Sequence, residues 1–247
     1  MSNTQAIAAT AAASAAASSG VAITTASDTM EKALLTLVGT FVGATLAFLS
    51  QLALRRKEEK KGELLAAHRI LFCLLQQTNT IVLIQQDHVV PHSRSPVKFI
   101  EIPATSQFDL SKNLFDFASF GFLLKSRKGR EIMYDLYMAQ ESYVETLRMV
   151  NERSRLHREL LQPKMAELGL GDGKPVGLAE LPSLLGPLVH GTLVNSTDQM
   201  LSILRATFKK LLAAKVQFRA YSVTYFKTND FTDFNFPETY GLLDPVE

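Results

Sequence analysis

The stretch from Asn151 to Glu159 (Asn-Glu-Arg-Ser-Arg-Leu-His-Arg-Glu) holds the densest grouping of residues able to move protons or bind anions. It prolongs an apolar stripe of Met133, Leu136, Tyr137, Gln140, Tyr143, Val144, Leu147 and Val150, which recurs at helical spacing. Carried further, the same face takes Asn151, Ser154 and His157 or Arg158, with Arg155 beside them. Polar groups on a core-facing stripe need partners, so they make either a buried network or a site. The plainer expectation is that this end of the helix projects beyond the core into water.

Within that stretch, Arg153-Ser-Arg-Leu-His157 resembles the Arg…His motif of HEPN-type helical ribonucleases, some of which are membrane-anchored. The resemblance covers five residues, at a spacing shorter than that family's usual pattern. It implies cleavage of an RNA phosphodiester, with His157 as general acid or base and Arg153 stabilising the phosphate.

Other chemistries lack their parts. His68, His88, His92 and His190 lie in separate segments without His-x-x-x-His, Cys-x-x-Cys or His-Glu-x-x-His spacing, so neither a metal nor a cofactor is expected. The run from Gly169 to Pro175 follows no strand and lacks Gly-Lys-Ser/Thr, and reads as a loop between helices. Cys73 sits among Leu71, Phe72, Leu74 and Leu75, the setting of a buried small hydrophobe rather than a reactive thiol. As the only cysteine it rules out an internal disulfide and suits a reducing compartment. A net charge of +2 gives no reason to expect a nucleic-acid partner.

The element that must place all this is an apolar run. Residues 33–54 carry no charge, and Arg55, Arg56, Lys57, Lys60 and Lys61 follow, interrupted only by Glu58 and Glu59. As a helix the run is roughly 33 Å long, enough for a bilayer core. No basic residue precedes Lys32. The charge bias therefore predicts a single pass through the inner (plasma) membrane, N-terminus out and the large C-terminal domain cytoplasmic, the basic flank lying on the membrane surface. Thr36, Gly39, Thr40, Gly43 and Ala47 share one helical face, a small-residue ladder that lets two membrane helices approach closely. Residues 1–30, rich in Ala and Ser, read as a flexible extracytoplasmic tail. A second, weakly apolar membrane helix is the rival for that segment.

Residues 31–57 thus form the span and its flank, and residues 58–225 a cytoplasmic bundle. Nothing from Glu31 to about Val89 breaks a helix except Gly62. The apolar stretch 70–84 is interrupted by Gln76, Gln77, Thr78, Asn79 and Thr80, which suits a central bundle helix rather than a second span. Pro91, Pro96 and Pro103 mark a connection in which residues 97–102 alternate loosely and read as extended. Ser106-x-x-Asp109 resembles a capping box and predicts a short aromatic-rich helix through about Leu124. A long helix then runs from about Gly129 to Leu161, ending near Gln162-Pro163. The last begins between Pro187 and Thr197 and reaches about Ser222. Residues 226–247 form an aromatic tail that docks on its own bundle or on another subunit; Phe218, Tyr221, Tyr225, Phe226, Phe231, Phe234, Phe236 and Tyr240 supply the rings. The fold class expected is all-α: one N-terminal transmembrane helix, then an antiparallel bundle of about four helices.

These features favour a non-enzymatic, membrane-anchored scaffold or sensor that self-associates, contacts membrane lipids and presents its bundle to a cytoplasmic protein partner. A membrane-perturbing effector or pore assembled through the Thr36–Ala47 face comes second. The HEPN-like ribonuclease comes third.

Overall fold

The computed structural model describes residues 26–169 and 177–236, with side chains from Leu34 onward. The expected N-terminal tail as far as residue 25, the loop from Leu170 to Pro175, Tyr240 and the rest of the C-terminal tail beyond Phe236 lie outside the described residues. The described chain is helical, with no strand among its elements, and divides into two compact units, residues 1–57 and 58–247.

Helix α1 runs Ala26–Ile84, with no proline inside it and no break at Gly62. Its residues in the first unit are long and apolar enough to cross a membrane. Their large side chains are exposed, Leu37 at 71 % and Phe41 at 74 %.

The second unit is built on three long helices. Beyond Glu58, α1 buries Ala67, Ile70, Leu71, Leu74, Ile81 and Val82. Helix α3, Arg127–Leu156, buries Ile132, Leu136, Ala139, Tyr143, Leu147 and Val150. Helix α6, Pro187–Phe226, buries Leu193, Leu204, Phe208, Leu211 and Phe218. These spacings of three and four are one face of a 3.6-residue helix, and apart from Leu193 the residues meet in one apolar core. Tyr137 departs from its expected inward place. It is 47 % exposed, one residue off the Leu136 stripe, and its ring packs against Phe117.

Helices α3 and α6 run antiparallel. Ser126 meets Tyr221 at one end, and the hydroxyls of Thr146 and Thr207 meet at 2.8 Å further along. Helix α1 runs parallel to α3, which a simple up-and-down bundle would not give. Glu63, early in the part of α1 that belongs to this unit, pairs with Lys125, just before α3. One level on, the Gln77 amide donates to the Asn113 carbonyl, and Gln140 of α3 accepts from the Phe115 amide. The physical reason is the connection, which leaves the far end of α1 and returns along the bundle before α3 begins.

That connection holds the largest departures from expectation. Residues 97–102 are not extended: α2, Lys98–Glu101, is a single helical turn. Phe99 and Ile102 are both buried, and at a separation of three they can share one side only in a helical turn. Ser106 caps no helix. The Asp109 carboxylate instead accepts from the Ser111 amide and hydroxyl in a local turn. The helical segment that follows is a 3₁₀ run, Phe117–Lys125, opened by the Asp116 side chain accepting from the Ala118 amide. Its Phe120, Phe122 and Leu123 are core residues.

Gln162-Pro163 does not stop the next helix. A π-turn, His157–Leu161, intervenes, and α4, Gln162–Leu168, continues to a left-handed Gly169. Pro163 brings no N–H to the carbonyl four residues back, and the widened turn absorbs the mismatch. A similar π-turn, Gln85–Val89, precedes Pro91. Helix α5, Leu181–Leu185, packs with Phe99, Leu161 and Leu193 in a smaller cluster.

The C-terminal segment docks on its own unit as far as Phe236. Phe231 is buried against His68 and Phe226, while Phe236 packs on Phe208. Lys215, almost fully buried in α6, donates to the Phe234 carbonyl and pairs with Asp233 at 2.5 Å. The Lys215 ammonium, hydrogen-bonded to it, holds the Asp233 carboxyl below its ordinary range.

Candidate functional site

The polar end of α3 is spent on one partner, the backbone of the returning connection. Asn151 makes a two-point clamp on Phe108: its Oδ1 accepts from the amide at 2.8 Å, and its Nδ2 donates to the carbonyl at 2.9 Å. Ser154 Oγ accepts from the Thr105 amide at 3.1 Å and shares a hydroxyl contact with the Thr105 side chain. Arg158 donates to the Thr105 carbonyl at 2.8 Å. His157 Nε2 lies 3.1 Å from the Ile100 carbonyl oxygen. The guanidinium of Arg153, 1 % exposed, forks between the carbonyls of Pro103 and Phe99 at 2.9 and 3.1 Å.

Apart from the Ser154–Thr105 hydroxyl contact, each of these bonds meets a backbone group of the irregular connection or of the short α2 turn, whose N–H and C=O groups must be met from elsewhere. Arg155 stands apart. It faces solvent and pairs with Glu152 and Glu159.

The electrostatics follow from burial. Desolvation pushes Arg153 down to about 10, its guanidinium bonded to the neutral carbonyls of Pro103 and Phe99. Burial also lowers His157, opposed by its bond to the Ile100 carbonyl and reinforced by the positive charges of Arg153 and Arg158. A neutral imidazole between two guanidiniums suits a structural hydrogen bond. Arg153 and His157, the pair of the ribonuclease resemblance, are thus brought together, and in this arrangement both are engaged with backbone carbonyls.

The small-residue face of α1 is open at its glycines. A Cβ added at Gly39 or Gly43 would meet nothing within 4 Å. Thr40 donates to the Thr36 carbonyl, Thr45 to that of Phe41, and Ser50 to that of Ala47, each at 2.7 or 2.8 Å. Such back-bonding meets a hydroxyl's need without water, the condition for keeping it in hydrocarbon. In the flank, Arg55, Arg56, Lys57, Lys60 and Lys61 are all exposed.

Elsewhere, no group of His, Cys, Asp and Glu suited to a metal ion occurs among the described residues. The Cys73 thiol donates to the Asn113 carbonyl, and burial pushes it up to about 12, so it is no nucleophile at neutral pH. Beside it lies an open cleft of about 510 Å³ that includes His68, Arg69, Phe72 and Gln76 and none of the expected site residues.

Sequence reasoning found the α3 cluster but not its partner. Nothing in the residue types of the connection announces that its backbone is the ligand. The ion pair of Glu63 with Lys125, and the Tyr225 hydroxyl bonded to the same carboxylate at 3.2 Å, were also invisible. The chain matches no known protein family, no curated protein and no solved structure.

Proposed function

We propose that this protein is a non-enzymatic membrane scaffold, anchored by one pass of α1 with its N-terminus outside and its bundle in the cytoplasm, and that it self-associates through the Thr36–Ala47 face to present the bundle to a protein partner. One observation carries the reading: an exposed apolar helical run on which Gly39 and Gly43 leave an uncovered strip and the hydroxyls of Thr40, Thr45 and Ser50 bond their own backbone. Apolar surface of that extent needs lipid or another helix to cover it, and a small-residue strip allows close backbone approach. The use of Arg153 and His157 as backbone donors supports a structural rather than catalytic role for the polar cluster.

The test is Gly43→Ile in the full chain, compared with the native protein by membrane fractionation and by cross-linking in detergent. Membrane retention with loss of the cross-linked oligomer supports the reading. An oligomer that survives the substitution refutes the interface, and a native chain released from membranes by alkaline carbonate refutes the anchor.

A further inference from the structure

We propose that the end of the second unit where α1 enters it is a docking surface for anionic lipid headgroups, formed jointly by Lys60 and Lys61 of α1 and by Lys125, Arg127, Lys128 and Arg130 at the start of α3. The inference rests on the membrane anchoring proposed above.

The two basic segments are far apart in sequence and are tied into one surface by side chains. Lys125 Nζ lies 2.5 Å from the Glu63 carboxylate, Tyr225 donates to the same carboxylate, and Ser126 meets Tyr221 at 3.2 Å. All six cations are exposed, and Leu124, 52 % exposed, stands among them as an apolar residue able to enter an interface. Glu58, Glu59, Glu63 and Glu131 neighbour these cations in sequence, Glu63 pairing with Lys125 and Glu131 with Arg127 and Lys128, and six cations against these four acids leave a positive balance.

The placement of the second segment runs against helix stability. Arg127, Lys128 and Arg130 occupy the first turn of α3, which carries no acidic residue, and there the helix dipole disfavours cations. The same dipole favours an anion, so a phosphate group outside this turn meets both the side-chain charges and the helix end. Chain connectivity supplies the lipid. Glu58, the first residue of this unit, is four residues beyond Leu54, the last residue of the apolar run. Each basic charge near an anionic bilayer strengthens its binding by about fivefold.

The experiment places the full chain, carrying an environment-sensitive fluorophore on a cysteine at Leu124 (Leu124→Cys, with Cys73→Ala), in nanodiscs of phosphatidylcholine alone or mixed with phosphatidylglycerol. With a trace of headgroup-spin-labelled lipid in both discs, quenching that rises in the anionic discs and is reversed by salt is expected. Arg127→Gln with Lys128→Gln, two exposed positions, should weaken docking about thirtyfold while leaving the circular dichroism unchanged. Equal quenching in both lipids, or anionic dependence retained in the double variant, overturns the docking surface alone. A chain that inserts into neither disc overturns the anchor and the docking surface together.

Discussion

The clamp of Asn151 on Phe108 sets up a sharp expectation. Asn151→Leu keeps the volume approximately and removes both hydrogen bonds, each worth about 1 kcal/mol net, so the cost is about 2 kcal/mol. For a unit of this size that is a fall in melting temperature of about 4–8 °C. Asn151→Asp separates the two halves of the clamp. Its carboxylate still accepts from the Phe108 amide but faces the Phe108 carbonyl as an anion where the amide had donated. Only the protonated acid can restore the second bond, so the folded state raises the pKa of this group above its unfolded value of about 3.9. Stability from a raised pKa is fully present below the unfolded pKa and is lost as pH rises through the folded one. The Asp variant should therefore approach the native protein near the acid end and fall away from it by neutral pH, while the Leu variant shows a constant deficit. Thermal unfolding of the full chain in detergent, followed by circular dichroism across pH and referred to the native protein at each pH, measures this. A Leu variant within 0.5 kcal/mol of native, or an Asp variant with no pH-dependent deficit, would refute the view that α3 side chains carry the backbone of the connection.

His157, held below its ordinary value by burial, binds fewer protons folded than unfolded. Native stability should fall as pH drops below about 6.5 and level off beneath the lowered pKa, and His157→Gln should flatten that decline in the same unfolding series. Gly129→Ala should cost about 1–3 kcal/mol, because the new Cβ would stand 2.1 Å from the Leu123 carbonyl oxygen and 2.8 Å from the Tyr221 hydroxyl. Gly62→Ala, in open space within α1, should instead stabilise by about 0.5–1 kcal/mol; denaturant midpoints that rank the two glycines the other way would contradict this packing.

Elements whose burial follows a simple period were legible. The stripes of α3 and α6, the central place of residues 70–84 and the apolar run before Arg55 all follow from spacing alone. The connection was not, and the cause is physical. Ser106 and Asp109 carry a capping signal, but the Asp109 carboxylate is spent on the Ser111 amide and hydroxyl, and α3 side chains hold the Thr105 and Phe108 amides in an irregular path. Pro163 is a helix stop in isolation, whereas a π-turn lets the helix pass it. The polar cluster was visible as residues on the wrong face, yet its partner is main chain, which has no sequence signature. Arg153 shows this best: the residue that suggested phosphate chemistry is among the most deeply buried, donating to two carbonyls.

The parallel course of α1 and α3 has a kinetic consequence. The contacts that close the unit join distant points of the chain: Glu63 to Lys125 spans 62 residues, Glu63 to Tyr225 spans 162, and Thr146 to Thr207 spans 61. No neighbouring pair of long helices can zip up as a hairpin from a short turn. Each pairing must first meet the entropy of closing a long loop, so the unit should fold slowly for an all-helical domain, at rates nearer those of mixed α/β proteins. During synthesis the apolar face of residues 66–84 stays open until the returning connection, whose Asn113 carbonyl takes the Gln77 amide, has been made. For that interval Gln77 and Thr78, fully buried in the finished unit, stand in the middle of that face as its polar interruption.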